Sequence, residues 1–402
     1  MSDFDLVKEL RVQSTSKIVL LVMDGLGGLP RVVNGKTELE SAHKPNLDAL
    51  APRSTLGLTE PVGLGITPGS GPGHLALFGY DPRRFVIGRG ALEALGIDFP
   101  LGRTDLAARG NFCTVDSDGK LLDRRAGRIP TSECVRLCDM LRQITIPGIQ
   151  VFVEPVQDYR FVLVLRGPGL HADLSETDPQ RLGVAPLPVQ ALSPEAAASA
   201  DLVSSFVSQA RAILADQHPA NMVLLRGFSQ HPQLPLFPEV YALRAAAVAV
   251  YPMYRGLARL VGMDLLKPNG KTPADEFAAV AAHWSDYDFF YVHIKGTDSA
   301  GEDGDFDRKV SIIEEVDRAL PTLLALKPDV LMVGADHSTP AVLKAHSWHP
   351  VPFLLHSSTC RPDGLEAFGE RTCRQGGFGR LPADQIMTLA MAHAGRLTKY
   401  GA

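Results

Sequence analysis

Three aspartates and two histidines, Asp24, Asp298, Asp336, His337 and His346, each follow an apolar run of the kind that forms a buried strand, or lie in a loop soon after one. Carboxylate oxygens suit hard divalent cations, and imidazole draws such a set toward manganese, zinc or iron. Three aspartates and two histidines exceed one tetrahedral site, so the set predicts a two-metal centre. Taken alone, each aspartate reads better as an N-cap and each histidine as a surface loop residue. Several together at the ends of buried strands point to metal.

A second group of residues surrounds Ser70. In Gly63-Leu64-Gly65-Ile66-Thr67-Pro68-Gly69-Ser70-Gly71-Pro72-Gly73-His74, glycines and prolines crowd the serine, and an apolar helix-like run follows. A serine at such a turn opens a helix, where free N–H groups and the positive dipole end favour an anion. N-capping by Ser70 is the simplest alternative. A serine–histidine–acid triad fits poorly, because no Gly-x-Ser-x-Gly elbow is present; a metal ion is another way to activate the hydroxyl. Seven cations, Arg109, Arg124, Arg125, Arg128, Arg226, Arg255 and Lys295, are candidates for phosphate or carboxylate oxygens.

The elements that must position these groups are partly legible. Lys17–Met23, Tyr287–Ile294 and Asp329–Gly334 are β-rich apolar runs, read as strands buried on both faces in a parallel sheet. Each leads to an aspartate, and ligands in open α/β sheets bind at the carboxyl ends of the strands. Residues 306–326 place Val310, Ile313, Val316, Leu320 and Leu323 on one helical face, with Pro321 expected to kink or break the helix. Helices are also expected near 192–216, 273–283 and 384–396, and strands near 149–153, 160–166 and 221–226. The stretch 104–240, rich in proline and arginine, reads as an inserted α+β domain. The chain is therefore divided into 1–103 with 241–402, the metal-binding part, and 104–240, a substrate-binding lid joined by crossings near 100–105 and 235–245.

Composition narrows the partners. The 402 residues are 45% hydrophobic and 21% charged, with 40 basic and 45 acidic side chains and a formal charge of −5, a soluble globular balance without the basic clustering of a nucleic-acid binder. Five cysteines, thinly spread, suit reduced thiols in a cytoplasm better than a disulfide framework. The polar N-terminal segment is no secretory signal, and no apolar run is long enough to span a bilayer. Phosphorylated or acidic small substrates stay open, because a local cluster of arginines can sit inside an acidic whole, and neither nucleic acid nor a membrane is expected.

The segments Val22-Met23-Asp24-Gly25, Thr67-Pro68-Gly69-Ser70, Gly79-Tyr80-Asp81-Pro82, Lys295-Gly296-Thr297-Asp298, Gly334-Ala335-Asp336-His337-Ser338-Thr339-Pro340 and His346-Ser347-Trp348-His349-Pro350 fall in one order. Together they resemble the archaeal-type, 2,3-bisphosphoglycerate-independent phosphoglycerate mutases of the alkaline phosphatase superfamily. Arg109-Gly110-Asn111-Phe112 and Asp123-Arg124-Arg125-Ala126-Gly127-Arg128 resemble that family's substrate domain. The resemblance implies an alkaline phosphatase-like α/β fold, a mixed, mainly parallel sheet between helices with an inserted smaller domain. It also implies a cytoplasmic glycolytic isomerase that interconverts 3- and 2-phosphoglycerate.

The resemblance further implies that Ser70, ionised by its metal, forms a phosphoserine while glycerate stays trapped and turns over. One metal would be held by Asp24, Ser70, Asp336 and His337, the other by Asp298, His346 and a third ligand. That third position is usually a histidine four residues after the aspartate, and here it is Glu302, with Asp303 a rival and His293 a weaker one. Glutamate favours manganese or magnesium over an all-zinc site, with zinc or cobalt still possible. Arg109, Asn111, Arg125, Arg128, Arg226 and Lys295 would bind substrate. A metal-dependent phosphatase or another phosphomutase of the same superfamily is the alternative reading.

Overall fold

The computed structural model describes residues 3–401. The chain divides into two units, Met1–Val86 with Leu234–Ala402, and Ile87–Gln233. In chain order, β1 (Ile18–Met23) and β2 (Thr55–Glu60) precede the second unit. That unit holds β3 (Leu106–Val115), β4 (Leu121–Asp123), β5 (Gln150–Gln157), β6 (Arg160–Arg166) and β7 (Met222–Ser229). The first unit then continues with β8 (Ala245–Ala249), β9 (Asp264–Leu266), β10 (Phe289–Ile294), β11 (Val330–Gly334), β12 (Val351–Ser357) and β13 (Gly379–Pro382).

The first unit is built on an eight-stranded sheet in the order β13-β2-β12-β11-β1-β10-β8-β9. Only β12 runs against the rest. Every residue of β1, β10 and β11 is buried, because helices cover both faces. On one face Val19, Leu21, Phe290 and Val292 pack with Phe277 and Val280 of the helix Pro273–Ala282 and with Ile313 and Val316 of the helix Phe306–Ala319. On the other, Phe289 meets Phe237 and Tyr291 meets Phe78, with ring centroids 4.8 and 4.9 Å apart. Each such side chain stabilises the sheet by about 1.5–3 kcal/mol on burial. The expected helix over 306–326 breaks as its proline requires, into Phe306–Ala319 and Pro321–Ala325.

The topology sets the site. Strands β11, β1 and β10 are adjacent and parallel, so Asp336, Asp24 and Asp298 all emerge at one sheet edge. The reversed strand β12 starts at that edge, and the loop before it carries His346. Parallel alignment of β2 with the core strands likewise delivers the loop 61–69 and Ser70 there.

The second unit is an antiparallel sheet centred on the long β3, which pairs with β6, β7 and, near its end, β4. One face is closed by the helices Thr131–Leu141 and Ala197–Leu214, through Leu137, Leu141, Phe206 and Leu214 among others. The first boundary lies before Ile87, earlier than the expected Arg103. The helix Arg89–Gly96 packs Ala94 on Ala107, Val162 and Val164 of the second sheet, and Ala91 N donates to Ser229 Oγ at 2.9 Å. At the second boundary, Phe237 and Tyr241 pack with rings of the first unit. No helix among the described residues is long and apolar enough to cross a membrane.

Candidate functional site

Asp24 is the first residue after β1 and is fully buried. Its Oδ2 receives His293 Nε2 and Lys295 Nζ, each at 3.1 Å, and its carbonyl accepts the Thr297 hydroxyl at 2.6 Å. Asp336, also fully buried, accepts Gly25 N on Oδ1 at 3.3 Å and has His74 Nδ1 and His337 Nε2 each 3.1 Å from Oδ2. Ser70 is the first residue of the helix Ser70–Leu77, whose N-cap is Gly69. The serine is therefore not the cap. Its Oγ lies instead 3.2 Å from His337 Nε2.

A second group lies beside this one. Asp298, 1% exposed, sits in the helix Gly296–Asp303, with His346 Nε2 3.5 Å from its Oδ1. The rings of His337 and His346 stack with centroids 3.6 Å apart. Two sets of atoms thus converge closely enough to hold a metal, Asp24 with Asp336 and His337, and Asp298 with His337 and His346.

Hydrogen bonding places a proton on Nδ1 of both histidines and orients their rings. Thr339 Oγ1 donates to the Asp298 carboxylate at 2.6 Å, so its only proton is used. It must therefore accept from His337 Nδ1, 2.9 Å away, which turns His337 Nε2 toward Ser70, Asp336 and Asp24. His346 Nδ1 lies 3.0 Å from the Pro68 carbonyl, an acceptor only, so its Nε2 lone pair faces Asp298. Both imidazoles point a ligand nitrogen into the carboxylates and are steered by a second atom behind, as metal-binding histidines are.

The electrostatics fit a cation. Burial and the neighbouring Asp336 push the Asp24 carboxyl up, but Lys295 and the His293 hydrogen bond outweigh them and hold it at about 2. Burial opposes charge on His337, yet Asp336, Asp24 and Asp298 raise it to about 9. Asp24 Oδ1 and Asp336 Oδ2 are buried and accept no well-directed hydrogen bond, although His337 Nε2 is 3.4 and 3.1 Å away. Buried carboxylate oxygens left in this way are costly, and a divalent cation would satisfy them.

The remaining predicted residues fall in different places. Glu302 is half exposed, its Oε1 3.8 Å from His346 Nε2. Asp303 points away, paired with Arg308 at 3.0 Å. His293 belongs beside Asp24, not with Asp298 and His346. Lys295 Nζ lies 2.5 Å from Asp298 Oδ2 and 3.0 Å from Tyr254 Oη, bridging aspartates of both groups. Arg255 is half-buried on the helix Pro252–Leu260.

In the second unit, Arg109 lies directly across from Arg226 in the β3–β7 pairing, and Asn111 shares their face. Arg109 Nε is 3.6 Å from Glu93 Oε1, while Arg226 is 3.0 Å from Glu176 Oε2 and 3.6 Å from Asp178 Oδ2. Arg124 forks onto Asp178 at 2.8 and 2.6 Å. Arg125 and Arg128 are exposed on a turn in which Ala126, Gly127 and Arg128 all have positive φ, at +46°, +64° and +56°. Asp123 anchors that turn by accepting Arg125 N and Gly127 N at 2.8 and 2.7 Å. A left-handed conformation at two non-glycine residues costs about 1–2 kcal/mol each, strain of the kind concentrated at functional sites.

Sequence reasoning gave no role to Thr339, Thr297, His74 or Tyr254, whose ring stacks on His293 at 3.7 Å. It also passed over Lys309, whose position on the apolar face of its helix, four residues before Ile313 and seven before Val316, was the available signal.

Residues 51–221 match the family model described as 2,3-bisphosphoglycerate-independent phosphoglycerate mutase. A probable 2,3-bisphosphoglycerate-independent phosphoglycerate mutase of Thermotoga neapolitana is 50% identical over 398 residues, 98% of each chain. Among solved structures, a Pyrococcus horikoshii protein has a TM-score of 0.84 at 30% identity, covering 98% of this chain and 100% of its own. The cofactor-independent phosphoglycerate mutase of Thermoplasma acidophilum has a TM-score of 0.71 at 30% identity, covering 94% and 100%. With half its residues shared with a full-length relative and its fold matched end to end, the chain belongs to the 2,3-bisphosphoglycerate-independent phosphoglycerate mutase family.

Proposed function

We propose that the protein interconverts 3-phosphoglycerate and 2-phosphoglycerate without 2,3-bisphosphoglycerate, through a phosphoserine on Ser70. The observation that carries the reading is Ser70 Oγ at 3.2 Å from Nε2 of His337, the histidine shared by two converging ligand groups. Asp24, Asp336, His337 and Ser70 would hold one divalent ion, and Asp298, His346 and Glu302 the other. Two bound manganese or magnesium ions would lower the serine hydroxyl's pKa and offset phosphoryl charge. The carboxylate of Glu302 supports these metals over zinc.

Ser70 Oγ forms its bond to phosphorus as the bond from phosphorus to the glycerate oxygen breaks. The serine proton leaves, and the departing oxygen takes one up. The return transfer repeats this on the other glycerate hydroxyl, frees the serine and consumes no water. Lys295, Arg125 and Arg128 are the groups proposed to meet phosphate and carboxylate charge, with Arg109, Asn111 and Arg226 as further substrate contacts. The glycolytic, cytoplasmic setting belongs to this same reading.

The test is ³¹P NMR of the protein with 3-phosphoglycerate and Mn²⁺, without 2,3-bisphosphoglycerate. The 2-phosphate isomer should appear, vanish after chelation and return with metal. Ser70→Ala should lower the rate by at least about a thousandfold without changing the melting temperature. Free phosphate with no isomer would assign a phosphatase instead. Full activity after exhaustive chelation would remove the metals from the mechanism.

A further inference from the structure

Behind the metal-ligand loops lies a buried ammonium that the proposed chemistry does not use. Lys309 is fully buried on the helix Phe306–Ala319. Its Nζ donates to three carbonyls, Gly25 O at 2.9 Å, Gly27 O at 3.1 Å and Thr339 O at 2.9 Å. Three donors meet three acceptors, so the group is a saturated ammonium. Glu38 supplies a counter-charge, with Oε1 3.8 Å away, and the same oxygen accepts Ala341 N at 2.7 Å.

These contacts join the chain segments that deliver the ligands. Gly25 and Gly27 belong to the loop that Asp24 opens. Thr339 and Ala341 belong to the loop that Asp336 and His337 open, and Thr339 also bonds Asp298 and His337. The two loops touch so closely that a Cβ at Gly25 would lie 2.4 Å from Thr339 Oγ1 and one at Gly27 1.9 Å from Ser338 Oγ. Thr339 N itself bonds the Gly25 and Gly27 carbonyls at 3.2 and 3.0 Å. We propose that Lys309, with Glu38 as its counter-charge, is a positioning residue that holds these two loops at the spacing divalent-metal binding requires.

The proposal rests on the two-metal reading and makes a prediction opposite in sign to simple electrostatics. Removing a positive charge near carboxylates strengthens cation binding when the scaffold stays in place. Losing a three-point backbone clamp moves ligands from their geometry and weakens binding. Mn²⁺ binding to metal-stripped full-length protein, measured by calorimetry, separates the two.

Lys309→Met should weaken Mn²⁺ binding at least about tenfold, by analogy with outer-shell changes around metal sites. Lys309→Gln, which keeps donors but shortens the reach, should weaken it less. At saturating substrate, raised Mn²⁺ should restore kcat of either variant toward wild type, with KM for phosphoglycerate unchanged. Should Lys309→Met not melt cooperatively, Lys309→Gln carries the measurement. Unchanged or tighter binding in the folded variant overturns the clamp. Wild-type protein that binds no Mn²⁺ overturns the two-metal reading and the clamp together, whereas wild-type binding with unaltered variants overturns the clamp alone.

Discussion

At the scale of single residues, Glu302 and Glu276 illustrate two different uses of a carboxylate. Glu302 reaches toward His346 Nε2, while its sequence rival Asp303 is tied to Arg308. Glu302→Gln should therefore weaken one of two Mn²⁺ ions about tenfold, with Asp303→Asn leaving both unchanged in a calorimetric titration; the reverse pattern would exchange their roles. Glu276, only 3% exposed on the helix Pro273–Ala282, has an unpartnered Oε2. Burial, with Asp275 adding to it, pushes its pKa up to about 9. The folded state then holds a proton that an unfolded carboxyl releases near its ordinary value of 4.5, so stability falls as pH rises between those values. By pH 8 the cost is about 5 kcal/mol. Glu276→Gln should melt several degrees above wild type at pH 8 and close to it at pH 5, and an equal gap at both pH values would contradict the argument. The metal-ligand candidates and Ser70 were legible because strand ends and a glycine-rich turn marked them. Thr339, His74 and Lys309 were not, because their roles come from hydrogen bonds between segments distant in sequence.

Elements were legible where burial was symmetrical. β1, β10 and β11 stand within a residue or two of the apolar runs that predicted them, because a strand covered on both faces needs no polar alternation. The central β3 was missed: its sequence Leu-Ala-Ala-Arg-Gly-Asn-Phe-Cys-Thr-Val interrupts the apolar pattern with Arg109 and Asn111 on one face. The reversed direction of β12 has no local signature at all. Helix Ser70–Leu77 shows how an element can place one atom. Gly73, on its first turn, packs so tightly that a Cβ there would lie 2.2 Å from the Asp336 carbonyl oxygen. Gly73→Ala should push the helix, and Ser70 with it, away from His337. We expect a destabilisation of about 1–3 kcal/mol but a loss of kcat of about a hundredfold, since a displacement of about an ångström suffices for that. A kcat that falls no further than the folded fraction would show that the helix tolerates the methyl without moving the serine.

At the scale of the whole molecule, chain connectivity makes the second unit separable. Its α+β character was readable from proline-rich texture and short strand patterns, but not its start, since the helix Arg89–Gly96 carries no mark of which sheet it covers. Residues 87–233 form one contiguous unit with an apolar core of its own. Its two ends lie together, because Ala91 N donates to Ser229 Oγ at 2.9 Å. In the first unit the flanking segments also meet, with Tyr80 Oη donating to Pro235 O at 2.7 Å. Units whose termini lie close together tolerate excision, and a chain of about 150 residues is long enough to bury a core that folds alone. The fragment 87–233 should therefore unfold cooperatively in urea, and the first unit, with a short Gly/Ser bridge in its place, should still bind two Mn²⁺ ions. Isomer formation should be lost in the bridged protein, which lacks Arg109, Asn111, Arg125, Arg128 and Arg226. A bridged protein that folds but has lost its Mn²⁺ would show that the ligand loops depend on the second unit, and a fragment without a cooperative transition would show that its core is not self-sufficient.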